Sequence, residues 1–279
     1  MSEDSFNNGL KNLNDGKFNE AITEFVKVVE ANPNSAAPYY NLGVCWFNLE
    51  NYDRAIENLN IALELDPTDP YIYHNLGLSW AEKGAPRKAM EYFNRAVELD
   101  EFNPDLYYNL GVCFYAMGDY DRAMENYDRA VEINPAYTMA LCNRGIINSQ
   151  KENRDLAMRD YALAIEMDPL NEFAYYNRAI QWAKEKNYDI AIDDYSRAIE
   201  INPSVAKYYT NRGLCLMSKG NDALAMKDFD RAIEIDPKSK LGYYNRGLLL
   251  NSLGEDELAA VDFSKASSLG LKLDPKKIL

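Results

Sequence analysis

An asparagine stands at every 34th residue of this chain: Asn7, Asn41, Asn75, Asn109, Asn143, Asn177, Asn211 and Asn245. A carboxamide both donates and accepts hydrogen bonds, which suits it to a peptide unit offering both groups. Its short side chain also competes for backbone hydrogen bonds and makes asparagine a mediocre helix former, so eight copies in phase need a reason beyond local structure. The residue before each asparagine is Phe6, Tyr40, His74, Tyr108, Cys142, Tyr176, Thr210 or Tyr244. Three residues after it stands Leu10, Val44, Leu78, Val112, Ile146, Ile180, Leu214 or Leu248. The chemistry on offer is hydrogen bonding between aromatic and aliphatic margins, with few charges.

A second constellation distinguishes the two halves. The residue after the asparagine is Leu42, Leu76 and Leu110 and then becomes Arg144, Arg178, Arg212 and Arg246. Further along the same units, Asn58, Tyr92 and Asn126 give way to Asp160, Asp194, Asp228 and Asp262. Arginine and aspartate arrive together, which predicts a charge pair within or between units, made attractive by the two-pronged geometry of guanidinium and carboxylate. Shared descent of the four units is the alternative account.

Bond-making chemistry has little to stand on. His74 is the single histidine, and no glycine-rich phosphate loop, nucleophile elbow or zinc motif is present. Asp193 and Asp194 are adjacent, so on a helix they point about 100° apart and form a solvated face rather than a catalytic pair. Cys45, Cys113 and Cys215 share one repeat position and Cys142 another, in separate units, which reads as buried reduced thiols and not as a metal or disulfide framework. Trp46, Trp80 and Trp182 share the position also held by Phe114 and Leu216, which reads as core packing. The chain is expected to have no catalytic residue, metal ligand or cofactor.

The elements that must carry the asparagines follow from the period. With position 1 at Ser2, Ala36, Pro70, Pro104, Thr138, Glu172, Ala206 and Lys240, the units are 2–35, 36–69, 70–103, 104–137, 138–171, 172–205, 206–239 and 240–273, without insertion or deletion. Residues 274–279 are left as a tail. Apolar and small residues at positions 4, 7 or 8, 11, 20, 24 and 27 fall on one face of two successive helices. In the fourth unit these are Tyr107, Leu110, Gly111 and Phe114, a turn at Gly118-Asp119-Tyr120, then Ala123, Tyr127, Ala130 and Pro135. Proline recurs as Pro33, Pro67, Pro135, Pro169, Pro203 and Pro237, where it closes the second helix.

This pattern resembles the tetratricopeptide repeat over about the whole chain. The resemblance implies an all-α fold, an α-solenoid whose stacked helix-turn-helix units form a right-handed superhelix, as a single array over 2–273. It also implies that first helices line a concave groove, with positions 2, 5, 6, 9, 12 and 13 facing it. In some members of the family, position-6 asparagines grip an extended peptide backbone as a ladder; asparagine there also bonds neighbouring helices. The candidate peptide-binding residues are therefore Asn41, Asn75, Asn109, Asn143, Asn177, Asn211 and Asn245, flanked by Tyr40, His74, Tyr108, Tyr176 and Tyr244. The family clamp for acidic chaperone tails uses lysine at position 5 and asparagine at 9, then asparagine at 6, then lysine at 2 and arginine at 6, across three successive units. Here position 5 is never lysine, position 9 never asparagine and position 6 never arginine. The clamp is missing, so the implied ligand is a neutral or basic extended peptide or protein segment.

Two units depart from the pattern. Glu101 replaces the usual proline, with Pro104 following, so the third unit's second helix is expected to run on. Lys151-Glu152-Asn153 has no glycine, so an ordinary, less constrained turn is expected there. Ser5, Asn8 and Asn12 at one end and Ala260 and Ser267 at the other make the outer faces polar, as caps of a complete module, with Leu271, Leu273, Ile278 and Leu279 folding back as a further cap. A net charge of −14 disfavours nucleic acid and anionic membranes, both of which need clustered cations. No secretion signal or membrane span is visible, so a cytoplasmic protein is expected. The leading function is a noncatalytic interaction scaffold; self-assembly and a regulatory subunit of an enzyme complex are the alternatives.

Overall fold

Helix pairs repeat through the whole described region, residues 2–272 of the computed structural model, with no strand among them. They run α1 (Ser2–Asn14), α2 (Phe18–Ala31), α3 (Ala36–Asn48), α4 (Tyr52–Leu65), α5 (Pro70–Glu82), α6 (Pro86–Leu99), α7 (Pro104–Ala116) and α8 (Tyr120–Ile133). The second half continues as α9 (Thr138–Gln150), α10 (Arg154–Met167), α11 (Glu172–Lys184), α12 (Tyr188–Ile201), α13 (Ala206–Ser218), α14 (Asp222–Ile235), α15 (Lys240–Ser252) and α16 (Asp256–Ser268). The chain divides into two compact units between Ala140 and Leu141, each a tandem stack of helix pairs and so an α-solenoid. The tail 274–279 and the proposed capping residues Leu273, Ile278 and Leu279 lie outside the described residues.

Small residues let the two helices of a pair meet. Position 20 is alanine in every unit, from Ala21 to Ala259, and each is at most 1% exposed. Gly111 lets the ring of Tyr127 lie where a Cβ would come within 2.5 Å of it. The next ring, Tyr161, and its counterparts Phe25, Phe93, Tyr195 and Phe229 are likewise buried. Interiors are packed at crystal density, so this glycine-ring and alanine-helix complementarity sets the distance between helices, and through it the direction in which each first helix presents its asparagine.

Both departures from the repeat pattern behave otherwise than expected. The second helix of the third unit ends at Leu99, the same length as its neighbours, because Asp100 turns extended and Asn103 caps the next helix through the Asp105 backbone N–H at 3.1 Å, with Pro104 in the first turn. The glycine-free turn is not relaxed either: Glu152 adopts φ +61°, as do Glu50 at +58° and Lys186 at +62°, matching Gly118 at +78°. Packing of the helix pair dictates the left-handed turn, and the side chain is forced into it at a cost of about 1–2 kcal/mol.

At the ends, Asn8, Ala260 and Ser267 are exposed and Ser5 and Asn12 half-buried, while Leu258 and Val261 of α16 stand 55% and 65% exposed. Trp80 is half-buried, with Lys88 Nζ 3.6 Å from its ring centroid, and Arg54 stacks similarly on Trp46 at 4.5 Å. These tryptophans are therefore the core's edge, shielded by cations.

Candidate binding surface on the first helices

Each first helix carries its asparagine half-way along, and the amide hydrogens turn first to the protein. Asn41 donates to the Ala37 carbonyl at 2.8 Å and Asn177 to that of Phe173 at 2.8 Å. Asn75 donates to both Tyr71 O at 2.9 Å and the Tyr40 hydroxyl at 3.2 Å. Asn211 donates to the Tyr176 hydroxyl at 3.0 Å. Asn109 Nδ2 stands 2.9 Å from His74 Nε2, a hydrogen bond in which a neutral ring with its lone pair on Nε2 accepts. The position-5 side chain of one repeat is thus tied to the asparagine of the next. With both amide hydrogens of Asn75 engaged, the oxygen is what that rung can offer a ligand.

Exposure sorts the rungs. Asn41 and Asn245 are buried, at 8% and 6%, whereas Asn75, Asn109, Asn143, Asn177 and Asn211 are half-buried. Burial pushes the Tyr40 and Tyr176 hydroxyl pKa values up, for Tyr40 with help from the Asp69 charge, and each is held back by the asparagine donating to it. Burial lowers the His74 pKa, with Asp105 opposing. Tyr108 packs against Tyr127 at 6.0 Å and Tyr244 against Phe263 at 5.8 Å, so both rings lean on their own second helices.

In the second unit the surface deepens into a cleft of about 400 Å³ between α11 and α13. Asn211, Ile180 and Leu214, all legible in the sequence, line it together with Tyr188, Tyr195 and Cys215. Several residues here have no sequence signal beyond departing from their repeat position. Lys207 Nζ lies 4.8 Å from the Tyr176 ring centroid and 5.7 Å from those of Phe173 and Tyr208. In the first unit, Tyr137 stacks on Tyr108 at 5.3 Å and donates its hydroxyl to Asp105 at 2.5 Å. Such singular aromatics and lysines are what a periodic pattern averages away.

Sequence profiles described as tetratricopeptide repeat match residues 36–69, 104–137, 173–205 and 206–239, and also 70–103 and 140–169. The chain belongs to the tetratricopeptide repeat family. It is 30% identical to MamA of known crystal structure over 58% of this chain and 94% of that one, with a TM-score of 0.54. It is 28% identical to YrrB, described as a tetratricopeptide repeat protein with an unusual peptide-binding site, over 70% of this chain and 97% of that one at a TM-score of 0.53. A tetratricopeptide repeat protein from Parabacteroides merdae shares the fold at 23% identity, 87% and 95% coverage and a TM-score of 0.65. Comparison with curated proteins returns no match.

Within these tetratricopeptide repeats the arginine–aspartate pairs are internal struts. Each joins the first and second helix of one repeat: Arg178 Nε and Nη2 reach Asp194 at 2.8 Å each, Arg212 reaches Asp228 at 2.8 and 2.7 Å, and Arg246 reaches Asp262 at 2.7 and 2.8 Å. Arg144 reaches Asp160 at 3.1 and 2.6 Å. The four carboxylates are 3–6% exposed, so the pairs hold helices together. Arg246 also reaches Asp230 at 2.7 Å, and with Asp262 these two line a cavity of about 310 Å³. Cys45, Cys113, Cys142 and Cys215 are buried and unbridged, as expected, with thiols pushed up by burial to about 11, or about 12 for Cys142. No cluster of potential metal ligands, and no helix long and apolar enough to cross a membrane, occurs among the described residues.

Proposed function

We propose that this tetratricopeptide repeat protein is a noncatalytic scaffold whose first-helix surfaces hold an extended protein segment, neutral or basic where it meets the first unit. The observation that carries this reading is the half-buried asparagine row beside aromatic and aliphatic side chains. With the amide hydrogens of Asn75 engaged internally, its oxygen is positioned to accept peptide N–H groups. The similarity to YrrB, a protein with a peptide-binding site, supports the same reading.

Magnitudes assign the roles. Each hydrogen bond nets about 0.5–1.5 kcal/mol, so five half-buried rungs contribute roughly 5 kcal/mol. Association costs about 4 kcal/mol or more, which leaves the rungs with weak, sequence-blind binding. Selectivity then falls to Tyr40, His74, Tyr108, Tyr176, Tyr244 and the position-9 aliphatics. Asn41 and Asn245, being buried, contribute more to packing than to a ligand.

The test is a comparison of Asn211→Ala with Tyr176→Phe, using a peptide selected on the intact chain from a random twelve-residue library. Tyr176→Phe removes the internal partner of Asn211 but keeps the rung. Peptide affinity should fall for Asn211→Ala and fall less for Tyr176→Phe, which keeps the ring that meets peptide side chains and loses only the hydroxyl turned to Asn211. Equal losses of stability with no loss of affinity in either variant would make the ladder purely structural. Self-association is a second reading, favoured by Leu156, Ile190, Leu224 and Leu258, one per repeat in the second unit and 45–55% exposed. Sedimentation showing a monomer at high concentration removes it.

A further inference from the structure

The two units present opposite charge on the same repeat positions. Among positions 2, 5, 6, 9, 12 and 13, the charged residues of the first unit are Glu3, Glu82 and Asp105, all acidic. Those of the second are Lys184 and Lys207, both basic, on a chain of net charge −14. Positions 9, 12 and 13 of α11 and 6, 9 and 13 of α13 line the one cleft, and Lys207 at position 2 lies over Tyr176 at position 5, four residues before Ile180 of that cleft.

Neither lysine is neutralised. Lys83 and Lys219, at the helix turns, pair with Asp53 and Asp189. Lys184 instead donates to the Ser149 hydroxyl at 3.2 Å, and Lys207 lies over aromatic faces; among the described residues no carboxylate pairs with either. From Tyr176, beneath Lys207, to Lys184 is eight residues of helix, about 12 Å, so the two ammonium groups bracket the aliphatic cleft. On the first unit, the Asp105 and Asp69 charges reach the groove-facing His74 and Tyr40.

Resting on the groove reading above, we propose that the two units select protein segments of opposite charge: the first a segment bearing basic side chains, the second an acidic segment whose carboxylates meet Lys184 and Lys207 and whose aliphatic side chain fills the cleft. Lys207 stands at position 2, where the chaperone-tail clamp also has a lysine, but the clamp's position-5 lysine, position-9 asparagine and position-6 arginine are missing, and Lys184 at position 13 is no part of it. Complementary charge adds partner choice and encounter rate to the charge-blind grip of the asparagines.

Three labelled twelve-residue probes with the same valine, leucine and tyrosine content, and serine, lysine or glutamate at the other positions, test it on the intact chain by fluorescence anisotropy at low salt. Lys184→Glu/Lys207→Glu should weaken the glutamate probe roughly tenfold and leave the lysine probe within about twofold, since each reversed surface charge acts by a few-fold. Glu82→Lys/Asp105→Lys should do the converse, and both effects should fade at high salt. Lys184→Met/Lys207→Met keeps both aliphatic stems and should give a smaller loss of the same sign, guarding against misfolding of the reversed variant. If both charge reversals change both probes by one common factor, or neither changes any, the inference is overturned. Should the serine probe bind while charge discrimination is absent, only this inference fails; if no probe binds, the groove reading fails with it.

Discussion

The strut between Arg178 and Asp194 can be replaced using the chain's own alternative, and the expected energies are distinct. In the fourth repeat, 104–137, the same two positions are Leu110 and Asn126, so Arg178→Leu with Asp194→Asn rebuilds a combination this protein already uses. Arg178 is 23% and Asp194 8% exposed in their side chains, joined by two bonds of 2.8 Å. Removing the arginine alone strands a nearly buried carboxylate and should cost about 3 kcal/mol, at the low end for breaking a buried pair because water reaches the guanidinium side. Removing only the charge of Asp194 leaves an amide able to accept one bond and should cost about 2 kcal/mol. The double variant removes both desolvation penalties and should cost under about 1 kcal/mol, for a coupling of about 4 kcal/mol. Urea unfolding followed by circular dichroism, fitted with nearest-neighbour coupling between repeats rather than as a single transition, reads all three. Additive losses would refute the reasoning and leave common ancestry to explain why arginine and aspartate occur together.

Three further outcomes are expected. The folded-state pKa of His74 lies below its ordinary value, so its stability contribution is complete above about pH 6.5 and is lost as pH falls through the lower folded value; His74→Tyr, which copies Tyr40 and Tyr176, should flatten that part of the pH–stability curve relative to wild type. Glu152→Gly, at φ +61°, should raise stability by about 1 kcal/mol by thermal or urea unfolding, while Gly118→Ala, at φ +78°, should lower it by a similar amount. The four thiols, held protonated by burial, should resist a disulfide reagent at pH 8 in the native protein and react promptly in denaturant, and fast native labelling of Cys215 would mean its cleft opens readily.

Periodicity made the helix pairs readable because apolar spacing recurs in all eight repeats, post-helical proline in six and a glycine turn in five, each a local signal. The arginine–aspartate contact was readable for the same reason, as a change arriving jointly at two positions. Expectations failed where a local signal was weak and packing was strong. Glu101 in place of proline did not lengthen α6, and the absence of glycine at Glu152 did not relax its turn, because neighbouring helices fix where the chain must reverse.

The candidate surface divides along the same line. Residue type and spacing determined that each asparagine has a position-5 side chain, tyrosine in four repeats, and a position-9 aliphatic beside it on its first helix, since that follows from 3.6 residues per turn. Only tertiary structure decided that Asn75, Asn109 and Asn211 aim amide hydrogens at the preceding repeat, that Asn41 and Asn245 are buried, and that Lys207 lies across Tyr176 while Tyr137 bonds Asp105. Those outcomes depend on the distance between neighbouring helices, which small residues and packed rings set across repeats and which no spacing within a single helix encodes.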